Sequence, residues 1–189
     1  MTSQDITKQE EQHLTLSEKL KLRRSNTGTV LLLDVSSSMS EEIEPERSKY
    51  KALCEIISGL NNNPKMYYFS DTYGECTKES IPRPNGMTYL SPLLEYLKST
   101  AITQAIVITD GDMTDKINTL NSSIGMNLKI MYVGTGLRPA FLDKLANQCG
   151  GWASTEDLKI QSQKALTEKI QLLICSGNEQ IDRGGSICL

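Results

Sequence analysis

Residues 29–40, TVLLLDVSSSMS, decide the fold of this chain. Their apolar run at 30–33 contains four large side chains without alternation, which predicts a strand buried on both faces, as in a parallel sheet covered by helices. The run ends on Asp34, and Ser36 and Ser38 follow it. Because open α/β sheets bind their ligands at the carboxyl ends of strands, these three polar residues are candidates for a binding site.

The loop after this strand offers one carboxylate and two hydroxyl oxygens, from Asp34, Ser36 and Ser38. Oxygen donors of this kind suit hard cations such as Mg²⁺. The same residue types are also common in turns, where they bond to the local backbone. Taken alone, the loop therefore leaves a metal site and a serine-rich turn equally open.

Two later stretches favour the metal site. Residues 105–112, AIVITDGD, form a second buried-strand pattern that ends on Asp110, and Gly111 allows a tight exit from the strand. Between the two strands, Thr88 lies in the loop sequence NGMT at 85–88, directly before an apolar helical segment. Right-handed crossovers between parallel strands bring such loops to one edge of the sheet.

The segments Asp34-Val35-Ser36-Ser37-Ser38, Thr88 and Thr109-Asp110-Gly111 together resemble the metal-ion-dependent adhesion site of von Willebrand factor type A domains. The family pattern is Asp-x-Ser-x-Ser, then a threonine in a later loop, then an aspartate after a later strand, often within Thr-Asp-Gly. All five positions match in order. Ser37 stands where many members have glycine, but it is not a ligand position. The resemblance implies a cation, Mg²⁺ or else Mn²⁺ or Ca²⁺, held by Asp34, Ser36, Ser38, Thr88 and Asp110.

The resemblance also implies a protein-binding module and not an enzyme. In the family the hydroxyls approach the metal directly, so Ser36, Ser38 and, in the engaged state, Thr88 would be direct ligands. Asp34 and Asp110 would orient waters and hydroxyls around them. Exchange of a metal-bound water for a Glu or Asp side chain would then capture a protein partner. Small intracellular members often work beside ATPases or within larger assemblies, and in some members the metal loops move together with the last helix.

The rest of the pattern predicts a Rossmann-like, doubly wound α/β fold with a mostly parallel sheet and helices on both faces. The strands are expected at 29–34, 66–70, 105–110, 128–133 and 152–153, with a short edge strand near 76–81. The first helix is expected to end near residue 60. Four further helices are expected at about 89–97, 115–123, 141–149 and 157–175. Pro45 suits the first turn of the first of these helices. We expect an N-terminal arm at 1–25, one domain at 26–176 and a tail at 177–189.

Composition limits the partners. Hydrophobic residues make up 38% of the chain and charged residues 23%, and the net charge of −3 argues against nucleic acid, which requires a basic face. Neither a secretory signal nor an apolar run long enough to span a bilayer is visible. Five widely spaced cysteines, an odd number, argue against a disulfide framework. We therefore expect a cytoplasmic protein that binds neither nucleic acid nor membrane.

Two alternatives remain open at this point. With Mg²⁺ held by Asp110 and Asp112, Asp34 resembles loosely the nucleophile of phosphatases of the haloacid dehalogenase type, which would make the chain a Mg²⁺-dependent hydrolase. Those enzymes need a second aspartate two residues later, where this chain has Ser36. Serine catalysis lacks a nearby base, since the only histidine, His13, lies in the N-terminal arm. The other alternative is a scaffold that binds no metal. The presence of all five predicted ligands argues against it.

Overall fold

The computed structural model describes residues 28–134, 137–154 and 163–179. Its sheet contains β1 Val30–Asp34, β4 Met66–Phe69, β5 Tyr73–Cys76, β6 Gln104–Thr109, β7 Asn127–Tyr132 and β8 Trp152–Ser154. A separate ribbon is formed by β2 Glu42–Glu44 and β3 Arg47–Ser48. The helices are α1 Lys49–Ser58, α2 Ser91–Ser99, α3 Lys116–Ser123, α4 Ala140–Cys149 and α5 Gln163–Glu179.

The strand order in the sheet is β5-β4-β1-β6-β7-β8, and every neighbouring pair is parallel except β4 with β5. From β1 the chain moves outward to β4 and β5, then crosses to β6 on the other side of β1. This is a doubly wound topology, and the predicted fold class is confirmed. The winding reverses between β1 and β6, so the crevice at their carboxyl ends is where such a sheet binds ligands.

Strand β1 is buried on both faces, as its unbroken apolar run predicts. Val30 and Leu32 belong to a core cluster with α2 and α4, whereas Leu31 and Leu33 belong to a second cluster with α1 and α5. Burying each side chain of this size contributes about 1.5–3 kcal/mol. The strand thus joins both helical layers and carries Asp34 into the interior at its end.

In the acidic segment after β1, Pro45 does not lie in the first turn of a helix, contrary to the prediction. Pro45 and Glu46 form the turn of the β2–β3 ribbon, and α1 begins later, at Lys49. Ser48 caps that helix, because its side chain accepts a hydrogen bond from Lys51 N at 3.1 Å. A serine that satisfies a free helical amide marks the helix start more strongly than a proline that only tolerates the first turn.

The predicted edge strand near 76–81 is also wrong in position, since β5 ends at Cys76. A tight turn, in which Ser70 N donates to Thr72 O at 2.8 Å, folds β5 back on β4 directly. The predicted last helix at 157–175 corresponds to α5, although residues 155–162 lie outside the described residues. Most of the predicted arm and tail lies outside them as well. Within the described ranges, no helix is both long enough and apolar enough to cross a bilayer.

Candidate metal centre

Asp34 is fully buried at the end of β1. Its Oδ1 accepts a hydrogen bond from Ser36 N at 2.9 Å, and its Oδ2 accepts one from Thr109 Oγ1 at 2.6 Å. Burial nevertheless raises the pKa of Asp34 from 3.8 to about 6, and the negative charge of Asp110 contributes to the rise. A positive charge beside this carboxylate would therefore be strongly favourable.

Ser36 and Ser38 bring two hydroxyl oxygens together. Their Oγ atoms lie 3.1 Å apart and share a hydrogen bond. The chain can place them so close because a 3₁₀ turn begins directly after Ser36, at Ser37–Ser40. Neighbouring ligands of an octahedral Mg²⁺ are about 2.9 Å apart, given metal–oxygen distances of about 2.05 Å. The spacing of the two hydroxyls therefore suits adjacent positions on one small cation.

Asp110 follows β6 on the other side of the crevice. Its Oδ1 accepts a hydrogen bond from Asp112 N at 3.2 Å, and its Oδ2 accepts one from Lys49 Nζ at 2.9 Å. Burial alone would lower the pKa of Lys49, but the carboxylates of Glu41 and Asp110 together raise it above its usual value. A positively charged group therefore stands against Asp110 in this structure.

Thr88 is buried in the neighbouring loop. Its backbone N donates to Thr114 Oγ1 at 3.2 Å, and its carbonyl accepts from Thr114 N at 2.9 Å. The same loop reaches the serine turn, because Ser37 N donates to Gly86 O at 3.0 Å. In the part of the chain that the structure describes, no hydrogen bond joins Thr88 to the other four predicted ligands. Its role as a ligand therefore stays a prediction.

Asp71 fixes the turn before Thr88. Its Oδ1 accepts a hydrogen bond from Met87 N at 2.9 Å. Gly86 has a φ of +75°, and a Cβ at this position would lie 2.1 Å from Asp71 Oδ2. Only glycine combines this left-handed backbone with such a close approach.

Asp115 joins the Thr88 loop to the segment after Asp110. Its Oδ1 accepts from Leu90 N at 3.3 Å and its Oδ2 from Ser91 N at 2.9 Å, at the start of α2. Thr119 Oγ1 also donates to Asp115 Oδ1, at 2.8 Å. One carboxylate thus satisfies free amides of α2 from the beginning of α3.

The candidate ligands are mostly hydroxyls. Among the residues with described positions, no group of three or more His, Cys, Asp or Glu side chains is placed to hold a metal ion. A zinc site would require such a group. Neutral hydroxyls combined with two carboxylates instead suit Mg²⁺, Mn²⁺ or Ca²⁺.

Several solved structures share the backbone arrangement. A structure of an aerotolerance-related membrane protein from Bacteroides fragilis is 15% identical, with a TM-score of 0.52, and the match covers 80% of this chain and 98% of that one. Manganese-loaded TRAP protein from Plasmodium vivax is 17% identical, with a TM-score of 0.53 and coverage of 79% and 74%. A von Willebrand factor type A structure from Catenulispora acidiphila is 18% identical, with a TM-score of 0.55 and coverage of 79% and 42%. This chain has the von Willebrand factor type A fold.

At these identities, the likeness to other type A structures concerns the path of the backbone alone. No protein-family model matches the sequence, and no curated protein matches it significantly. The assignment of a metal site to this chain therefore depends on its own side chains.

Within the type A fold, hydrogen bonds join Asp34 to Ser36 and Ser36 to Ser38, and Asp110 follows the strand beside them. The predicted ligand set does not include the residues that hold this arrangement, among them Thr109, Lys49, Asp71, Thr114 and Asp115. Thr109 is part of the quoted Thr-Asp-Gly segment, and its position at a strand end is the signal that could have assigned it. Lys49 is 61 residues from Asp110 in sequence, and no local pattern connects them.

Proposed function

We propose that this chain is a metal-dependent protein-binding module. Asp34, Ser36, Ser38, Thr88 and Asp110 would hold a Mg²⁺ or Mn²⁺ ion, or else Ca²⁺, at the crevice between β1 and β6. The observation that carries the proposal is the pair of hydroxyls 3.1 Å apart, directly beside a fully buried carboxylate. A divalent cation there would offset the cost of a buried negative charge on Asp34, which is the cost that raises its pKa.

The charges of the site indicate what it would bind. Two carboxylates, Asp34 and Asp110, balance a divalent cation, whereas the three hydroxyl side chains add no further charge. If the carboxylates act partly through water, the bound ion retains enough positive character to attract another anion. A Glu or Asp side chain of a protein partner supplies such an anion. We therefore propose an acidic residue on the partner as the group that is captured.

The geometry favours binding over the hydrolase alternative. Asp34 is fully buried, and both of its oxygens already accept hydrogen bonds, from Ser36 N and Thr109 Oγ1. A nucleophile must be accessible to its substrate, and a fully buried carboxylate is not. The arrangement suits a carboxylate that orients its neighbours better than one that attacks a phosphate.

We further propose that the module works in the cytoplasm within a larger assembly, such as a complex that contains an ATPase. The last helix, α5, is the element that partner binding would displace if this domain switches. Hydrogen exchange of residues 163–179 with and without a bound partner tests that idea. Identical protection in the two states would remove it.

The experiment that tests the metal site is a calorimetric titration of Mg²⁺ and Mn²⁺ into chelator-treated protein. We expect saturable binding to the wild type and to Asp112→Ala, an exposed aspartate outside the proposed ligand set. Asp34→Ala should abolish binding. A pull-down with and without chelator then tests partner capture, which should require the metal. Equal capture under both conditions would refute metal-dependent binding.

A further inference from the structure

Lys49 lies between two carboxylates at the edge of the candidate metal site. Its Nζ is 2.9 Å from Asp110 Oδ2 and 2.6 Å from Glu41 Oε2. The side chain of Asp110 is 3% exposed and that of Lys49 14%, whereas that of Glu41 is 67% exposed. The ammonium group therefore joins a buried carboxylate on one side to a solvated one on the other.

The backbone holds this arrangement in register. Lys49 N donates a hydrogen bond to Glu41 O at 3.0 Å, so the first residue of α1 is fixed to the segment that follows the serine turn. Lys49 consequently meets Asp110 from a defined position and not as a freely moving surface side chain. Because a buried carboxylate without a counter-charge is costly, this ion pair stabilises the metal-free protein.

The same contact opposes the binding of a divalent cation. Asp110 is one of the five proposed ligands, and its Oδ2 is the oxygen that Lys49 contacts. An ammonium and a divalent cation that lie close to the same carboxylate repel each other, and this repulsion is larger in a poorly solvated site than in water. Glu41 gives Lys49 a second carboxylate nearer the solvent, so the ammonium group can stay paired when Asp110 binds a metal.

We infer that Lys49 is the resident counter-cation of Asp110 and sets the metal affinity of the site. Divalent metal binds only as Lys49 leaves Asp110 and stays with Glu41. This inference rests on the proposed metal-binding function. It adds Lys49 as an affinity-determining residue and Glu41 as the group that receives it.

The test compares Lys49→Met with Lys49→Arg, which keeps the charge. The matched control is Lys51→Met, which removes a charge from the same helix, where Lys51 Nζ donates to the carbonyl of Glu46. Mn²⁺ binding is measured by titration, and thermal unfolding is measured in chelator and in Mn²⁺. We expect Lys49→Met to bind Mn²⁺ about tenfold tighter or more, since it removes a unit charge beside the ion. Lys49→Arg and Lys51→Met should bind as the wild type does.

In chelator, Lys49→Met should unfold at a lower temperature than the wild type, and Mn²⁺ should restore its stability. A double-mutant cycle with Glu41→Gln adds a specific readout. Glu41→Gln should weaken Mn²⁺ binding more strongly when Lys49 is present than in the Lys49→Met background, because only then does a displaced ammonium need Glu41.

The outcomes separate this inference from the proposed function. If Asp34→Ala abolishes Mn²⁺ binding but Lys49→Met binds no tighter than the wild type, the metal site stands and the role of Lys49 is wrong. Unchanged stability of Lys49→Met in chelator would likewise overturn the inference. If neither the wild type nor Lys49→Met binds Mn²⁺, both the function and the inference fall. Tighter binding by Lys49→Met than by the wild type, abolished in both by Asp34→Ala, would support both.

Discussion

Thr109→Val removes one hydroxyl from the buried centre of the site and preserves the volume of the side chain. Thr109 is fully buried, donates to Asp34 Oδ2 at 2.6 Å and accepts from Gly111 N at 2.9 Å. The substitution therefore leaves a buried carboxylate with one bond fewer and a buried amide without its acceptor. Loss of a hydrogen bond to a charged group costs about 1.5–3 kcal/mol, and an unsatisfied buried amide costs about 1–3 kcal/mol.

We expect the free energy of unfolding of metal-free Thr109→Val to fall by about 3–5 kcal/mol at pH 7.5. The Thr109 hydroxyl also lowers the pKa of Asp34, which burial has raised to about 6, so its removal raises that pKa further. A raised pKa in the folded state means that an ionised Asp34 costs stability at high pH, and that the cost disappears as protonation occurs at lower pH. The penalty of Thr109→Val should therefore be smaller at pH 5 than at pH 7.5.

The assay is urea unfolding in chelator at both pH values, with Mg²⁺ titration of the same proteins. Thr119→Val is the matched control, because Thr119 is equally buried and donates to Asp115 Oδ1 at 2.8 Å, outside the proposed ligand set. Both variants should lose stability, but only Thr109→Val should lose Mg²⁺ affinity, by about tenfold or more, since the orientation of Asp34 depends on its bond. Equal Mg²⁺ affinity in the two variants, or a stability loss that does not change with pH, would refute this reasoning.

Three further perturbations test other parts of the structure. Gly86→Ala should lower the free energy of unfolding, measured in urea, by more than Gly125→Ala does. Both glycines have a positive φ, but a Cβ at Gly86 would meet Asp71, whereas nothing lies within 4 Å of a Cβ at Gly125. Equal losses in the two variants would contradict the close approach at Gly86. In chelator, the free energy of unfolding of the wild type should fall by up to about 3 kcal/mol relative to that of Asp34→Asn as the pH rises from about 4 to above 6, because the pKa of Asp34 is 3.8 when unfolded and about 6 when folded. If the free energies of unfolding of the two proteins change in parallel with pH, the pKa shift is excluded. Ile170→Ala should lower the free energy of unfolding by about 2–5 kcal/mol, since Ile170 is fully buried where α5 packs on the sheet; a thermal unfolding experiment that shows a loss below about 1 kcal/mol would mean that α5 is loosely attached.

The sequence predicts the fold well because its decisive signals are local. A strand buried on both faces needs a continuous apolar run, and residues 30–33 and 105–108 provide two of them. The candidate ligands Asp34 and Asp110 lie directly at or after those strands, so the strand prediction also gives their position. In the structure β1 pairs with β6, so the two strand ends lie side by side.

The groups that hold the site are less visible in the sequence, because their contacts are distant along the chain. Lys49 reaches Asp110 across the crevice, and Asp115 binds the backbone of Leu90 and Ser91 more than twenty residues earlier. The error at Pro45 has a local cause. Two possible helix starts, Pro45 and Ser48, lie within a few residues of each other, and the hydrogen bond from Lys51 N to Ser48 Oγ marks the one that the structure adopts.

The carboxylate of Asp115 also bears on how fast and at what entropic cost the domain can bind. Through hydrogen bonds within the protein, it fastens the segment that carries Thr88 to the segment that follows Asp110. The ordering of these loops is therefore part of folding and not part of the binding step. We expect a preorganised crevice, whose association rate with a cation depends on the exchange of water and on the release of Lys49, and not on loop closure.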